Sequence, residues 1–210
     1  MTNPISSSDS SEAADSLRPA FWEQRYQAGS PRWDLGQPSP AFVAWFRQVM
    51  PPPGRAIFLG CGRGHDALFF AENGFEVWGV DYAPSAIAAA RASAEQRQLT
   101  AHFIQRDIFD LVPEFAHQFD YVVEHTCFCA IDPSLRSQYV ELVYQLLPPQ
   151  GQFLAVFFTH SRGGGPPYGT SAAEIRDRFS SHFTVSTLSP VKNSVPARQG
   201  EEHLALMQRR

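Results

Sequence analysis

The sequence predicts an α/β fold: a single doubly wound, mostly parallel sheet of seven strands within a domain at 17–210, with a helical cap at 17–53. Two observations carry this. From Arg55 to Phe158, short apolar runs of strand length alternate with helical patterns, the order that lays helices on the faces of a parallel sheet. The chain then closes with a short amphipathic helix and two more strand patterns, which suit an antiparallel edge. At 210 residues one domain has room for an ample core, and neither repeats nor a second domain are visible.

The elements follow in order. Residues 1–16 are Ser, Asp, Glu and Ala with almost nothing apolar, so this tail is expected to be disordered. Arg18–Gln27 reads as a helix carrying Phe21, Trp22 and Tyr26 on or near one face, broken by Gly29-Ser30-Pro31. An aromatic loop, Arg32–Pro38, surrounds Trp33. Ser39 as cap and Pro40 at the first position open a second helix with the stripe Phe42, Val43, Trp45, Phe46 and Val49. Arg55–Leu59 is a buried strand, Gly60–Gly64 a glycine turn, and His65–Asn73 a helix closed by Gly74. Phe75–Val80 is the second strand, ending in Asp81. Pro84–Gln98 is an alanine-rich helix, and Ala101–Gln105 and Phe119–Glu124 are the third and fourth strands. Asp132-Pro133 caps a helix over Leu135–Leu147, and Gly151–Phe158 is a central fifth strand. Ser171 caps a helix to Phe179; Phe183–Leu188 and Glu202–Gln208 are the last strands.

Composition narrows the class of function. Hydrophobic content of 43% and charge of 18% are those of a soluble globular protein, and a net charge of −4 lacks the basic face that nucleic acid requires. No apolar run reaches the roughly 18 residues of a membrane span, and no signal peptide pattern opens the chain. A cytoplasmic protein without a membrane partner is expected. Cys61, Cys127 and Cys129 make an odd count that suits a reducing cytosol. Cys127 and Cys129 lack a matching Cys or His pair, so they read as buried thiols and no metal is expected.

Chemistry concentrates at Gly60, Gly62 and Gly64. Glycines let a backbone turn tightly and approach a ligand, and an acid at the next strand tip, Asp81, can accept hydrogen bonds from a ribose diol. A dinucleotide fingerprint would need a third glycine at position 65, which is His65. The pattern present, GxGxG, is the form used for S-adenosylmethionine, which is therefore expected ahead of a nicotinamide cofactor. Asp107, after strand three, reads either as a ligand for an adenine amino group or as a solvated turn acid. Trp33 lies in a Pro/Gly loop, and its flank reads either as a lid over a ligand or as plain cover for the sheet. His125–Ile131 lies at the carboxyl end of a central strand, where open α/β sheets bind ligands.

Five motifs in order, Trp22-Glu23, Pro31–Gly36, Gly60–Asp66, Phe128–Ile131 and Gly164–Tyr168, resemble the thiopurine and thiol methyltransferase family, most of all its thiocyanate/halide branch. The resemblance spans Phe21–Glu202 and implies a Rossmann-like class I S-adenosylmethionine-dependent methyltransferase. It implies donor contacts from Trp22, Trp33, Gly60, Asp81, Asp107, Ile108 and Glu124, with Gly62, Gly64 and Tyr82 beside them. Tyr26 stands where plant members carry a second tryptophan, and His125 where they carry tyrosine, so the acceptor pocket is expected to differ. The implied reaction moves a methyl group to a halide, thiocyanate or hydrosulfide, releasing S-adenosylhomocysteine; a thiol or thiopurine acceptor is the alternative. A monomer is expected.

Displacement joins a sulfonium and an anion into neutral products, so an aromatic, water-poor pocket of Trp33, Phe128, Phe158 and Tyr168 beside His125 favours it. No residue need act as nucleophile. A neutral thiol, with a pKa of roughly 8.5, must also lose a proton. His125 and His160 read either as bases for that case or as structural histidines.

Overall fold

The computed structural model describes residues 19–29 and 31–210, so the tail at 1–16 lies outside the described residues. Seven strands form one sheet: β1 (Arg55–Leu59), β2 (Glu76–Asp81), β3 (His102–Gln105), β4 (Tyr121–His125), β5 (Gln152–Phe158), β6 (Phe183–Pro190) and β7 (Glu202–Arg209). Their order is β3-β2-β1-β4-β5-β7-β6. Pairing is parallel through β5, and β7 runs antiparallel to both β5 and β6, as the closing pattern of the sequence predicts. Chain order reverses between β1 and β4, which opens a crevice beyond the carboxyl ends of those strands. Register then decides what faces it. Leu59 pairs with Val80 on one side and Glu124 on the other, so Gly60 comes level with Asp81 and His125.

The helices are α1 (Pro19–Gln27), α2 (Pro40–Val49), α3 (His65–Glu72), α4 (Pro84–Gln96), α5 (Val112–Phe115), α6 (Arg136–Leu146) and α7 (Ala172–Phe179). No helix among the described residues is long and apolar enough to cross a membrane. Residues alternate between two cores along β1: Ile57 and Leu59 join Phe128, Tyr139, Phe153 and Phe179 on one face, while Ala56 and Phe58 join Phe42, Trp45 and Phe70 on the other. Several boundaries shift by a residue or two, and three differences from the sequence pattern have a visible cause. The fourth strand begins at Tyr121, because Asp120 turns its carboxylate to accept the Arg55 N–H at 2.9 Å. Asp132 caps a single 3-10 turn at Pro133–Leu135, accepting the Ser134 N–H at 2.8 Å, and α6 starts after it. Ser39 does not cap α2 with its side chain; its N–H donates to Asp66 Oδ1 at 2.6 Å.

The cap, α1 through α2, is hydrogen-bonded to the rest of the chain at several places. Glu23 accepts both the N–H and the hydroxyl of Ser85 at the start of α4. Asp34 accepts Arg63 Nη1 and the Gly36 N–H, both at 2.8 Å, and lies 3.0 Å from His65 Nε2. Asn193 Nδ2 donates to the Pro40 carbonyl, and Arg198 Nη2 to the Trp33 carbonyl.

Two outcomes follow from this packing. At Gly79 in β2 a Cβ would lie 2.6 Å from the Phe103 ring and 2.9 Å from Cys61 Sγ. Gly79→Ala should therefore cost about 1–3 kcal/mol of stability, read by urea denaturation. The His65 contact, aided by the Gly36 N–H and the charge of Arg63, outweighs burial and brings Asp34 from 3.8 to about 2. A carboxylate lowered in this way stabilises the fold above its unfolded value and stops doing so as pH falls through its folded value. Asp34→Asn should thus flatten the acid limb of a stability-against-pH curve between about pH 4 and 2.

Candidate active site

A cavity of about 1140 Å³ lies beyond the carboxyl ends of β1, β2 and β4, roofed by the cap and by the loop before β7. Single drug-sized ligands occupy pockets of about 300–1,000 Å³, so this one has room for two small molecules side by side.

One end is the glycine turn. Gly60 and Gly62 line it with φ of +63° and +53°, a region that favours glycine. A Cβ on Gly60 would lie 2.9 Å from Cys127 Sγ, and one on Gly62 2.8 Å from the Tyr26 hydroxyl. Gly64, expected at the ligand, does not line the cavity. A Cβ there would press on Ala90 and Phe103 at 3.0 Å, so this glycine lets the turn pack on α4. Asp81 is buried, with Oδ2 accepting the Gly62 N–H at 2.8 Å and Oδ1 the Ala83 N–H at 2.9 Å. Burial raises its pKa despite both bonds. Asp107, half-buried on the cavity wall, accepts the Phe109 N–H at 2.9 Å, capping a 3-10 turn at Ile108–Asp110, and the Tyr82 hydroxyl. Tyr82 and Ile108 line the same wall.

Three rings from the cap face this turn. Trp33 lies edge-to-face with Trp22 at 5.4 Å and with Tyr26 at 5.7 Å, and its Nε1–H donates to the Tyr26 hydroxyl at 3.1 Å. Below them Glu124 Oε2 accepts the N–H groups of Cys127 and Phe128 at 2.6 and 3.0 Å, fixing the loop after β4. Burial moves the Glu124 carboxyl up to about 7. Free thiols of Cys61, Cys127 and Cys129 border the cavity. Burial pushes all three up, Cys129 to about 12, so they stay protonated and weakly nucleophilic.

The wall around His125 differs from the sequence pattern. His125 and Phe158 line it, as expected, but Phe128 and Tyr168 do not. The 3-10 turn at Phe128–Ala130 sends the Phe128 ring into the core against Tyr139, Phe157 and Phe179, where it is fully buried. Tyr168, its N–H donated to the Cys129 carbonyl, lies with His160 on a separate cavity of about 610 Å³. The histidine proposed as a second base is thus outside the main cavity.

Arg198, Asp66 and Glu202 stand around His125 instead. His125 Nδ1 is 3.0 Å from Asp66 Oδ2, and Nε2 is 3.6 Å from Glu202 Oε1. Arg198 Nη1 donates to Glu202 Oε1 at 3.2 Å and lies 3.0 Å from His125 Nε2. Burial disfavours a charged ring, and Arg198 opposes one too, but Asp66 and Glu202 outweigh both and lift His125 to about 9. Charge balance agrees, since two carboxylates and one guanidinium leave a buried negative charge unless the ring carries its proton. Besides burial, the 3.0 Å approach of Arg198 opposes protonation, and Glu202, within reach of both side chains, offsets it. A protonated His125 would have no lone pair to take a thiol proton. Periodicity gave no sign of this cluster, because Arg198 is one arginine in a proline-rich loop 73 residues away.

The thiopurine S-methyltransferase family matches residues 17–210. The chain is 33% identical over 156 residues to a probable thiol methyltransferase 2 of Arabidopsis thaliana, covering 73% of this chain and 68% of that one. It is 29% identical over 187 residues to thiocyanate methyltransferase 1 of Brassica oleracea, covering 87% and 82%. Its fold is shared with 1,6-didemethyltoxoflavin-N1-methyltransferase of Burkholderia thailandensis, solved with S-adenosylhomocysteine, at a TM-score of 0.74 and 20% identity over 100% of this chain and 93% of that one. On sequence and fold together, the chain belongs to the thiopurine S-methyltransferase family and is an S-adenosylmethionine-dependent methyltransferase.

Proposed function

We propose that the enzyme methylates a small soft anion, such as thiocyanate, a halide or hydrosulfide, by in-line displacement. The observation that carries this is the placing of Arg198 and His125 beside Phe158 in the same cavity as the glycine turn. When bound, S-adenosylmethionine supplies a methyl group on a sulfonium. The residues fit it: the turn has no space for side chains, Asp81 keeps lone pairs for a ribose diol, and Asp107 and Ile108 border the place for adenine. Trp22, Tyr26 and Trp33 would attract the sulfonium by about 1–2 kcal/mol. Arg198 and protonated His125, their charge balanced by Asp66 and Glu202, would offer N–H donors rather than net charge to an anion near the glycine turn, and Phe158 would limit its hydration. Alignment of two reactants contributes about 7–11 kcal/mol, more than any of these contacts. Positioning, with no nucleophile from the chain, is the core of the mechanism.

A thiol or thiopurine acceptor is the second reading, favoured by the 1140 Å³ of space. With His125 already protonated, the thiol proton would have to leave to solvent.

Assays with iodide, bromide, chloride, thiocyanate, hydrosulfide and an aromatic thiol, with methyl products separated by gas chromatography, test the choice. Turnover of the thiol alone would overturn the anion reading. Because His125 is charged below about pH 9 and neutral above it, thiocyanate kcat/KM should be flat near neutrality and fall as pH rises through 9. His125→Gln should lower the neutral-pH value roughly tenfold and abolish that basic limb. The same limb in the variant would remove His125 from acceptor binding.

A further inference from the structure

Tyr26 is 7% exposed, and its hydroxyl meets two parts of the site at once. It rests over the turn, close enough that a Cβ on Gly62 would lie 2.8 Å away, and it accepts the Trp33 Nε1–H at 3.1 Å. An indole N–H is donor only, so a partly buried tryptophan in a wall this apolar keeps a fixed orientation only where an acceptor meets it. Trp33 is held at its other end by Arg198 through its backbone carbonyl, at 2.7 Å. Between these two bonds the ring can tilt about its Cα–Cβ axis unless Nε1 is anchored.

We propose that the Tyr26 hydroxyl is a positioning group for methyl-donor binding: it fixes the Trp33 indole at the angle at which the ring closes over the glycine turn. A tryptophan at position 26 could not do this, having no acceptor. The tyrosine therefore supplies more than another aromatic surface; it makes one lid ring depend on the other. The proposal rests on the reading of the glycine turn as the donor site, and the experiment keeps the two apart.

Isothermal titration with S-adenosylhomocysteine is run on the wild type, Tyr26→Phe, Trp33→Phe and the double variant, with thermal melts to confirm folding. The wild-type titration tests the donor site itself. If it binds, Tyr26→Phe should weaken binding roughly 3- to 10-fold, the loss of one hydrogen bond, with kcat at saturating donor changed less than KM. In the Trp33→Phe background, which has no Nε1–H, removing the hydroxyl should cost nothing further. Wild-type affinity in Tyr26→Phe would overturn the proposal, as would a penalty undiminished in the double variant.

Discussion

The buried carboxylate of Asp81 ties three pieces of chain together. One oxygen takes the Gly62 N–H, the other the Ala83 N–H, so the tip of β2, the glycine turn and the lead into α4 share a single anchor. An acid shut away from water is costly unless every lone pair finds a donor, and burial does raise this one. The two backbone bonds meet part of that demand, and the remaining lone pairs make the spot hungry for a polyol. Strand register delivers Gly60 to the same level, and the glycines of the turn let its backbone reach the acid.

The part of the cavity around His125 is governed by charge. Asp66 comes from α3, His125 from β4, and Arg198 and Glu202 from the last loop and strand; none is near another in sequence except the final two. Together they balance when the imidazole is protonated. That same guanidinium also grips the Trp33 carbonyl, so the cationic end and the aromatic lid are mechanically joined. A cap bonded at Glu23, Asp34, Trp33 and Pro40 is held to the rest of the chain and forms a wall of the site.

Strands, helices and the glycine turn were legible in the sequence because each is a local pattern: apolar runs of strand length, caps and prolines in their usual places, an acid one residue past a strand. Asp81, Trp33, His125 and Phe158 were legible for the same reason, lying at strand tips or in a marked loop. Phe128 was misplaced because a single 3-10 turn sends its ring inward, and no periodicity records so short an element; Tyr168 was misplaced because the loop after β5 puts it with His160 on the second cavity. Gly64 looked like its two neighbours in the motif, yet the need it meets is packing on Phe103. Arg198, Asp66 and Glu202 were invisible, since only the closed sheet brings them to His125.

The account stands on the glycine turn and Asp81 forming the seat of a sulfonium nucleoside. Equilibrium dialysis of the wild-type protein with labelled S-adenosylmethionine, in parallel with NADH, tests this most directly. One equivalent of S-adenosylmethionine retained per chain and no NADH is the expected result; retention of neither, or of NADH alone, would contradict it.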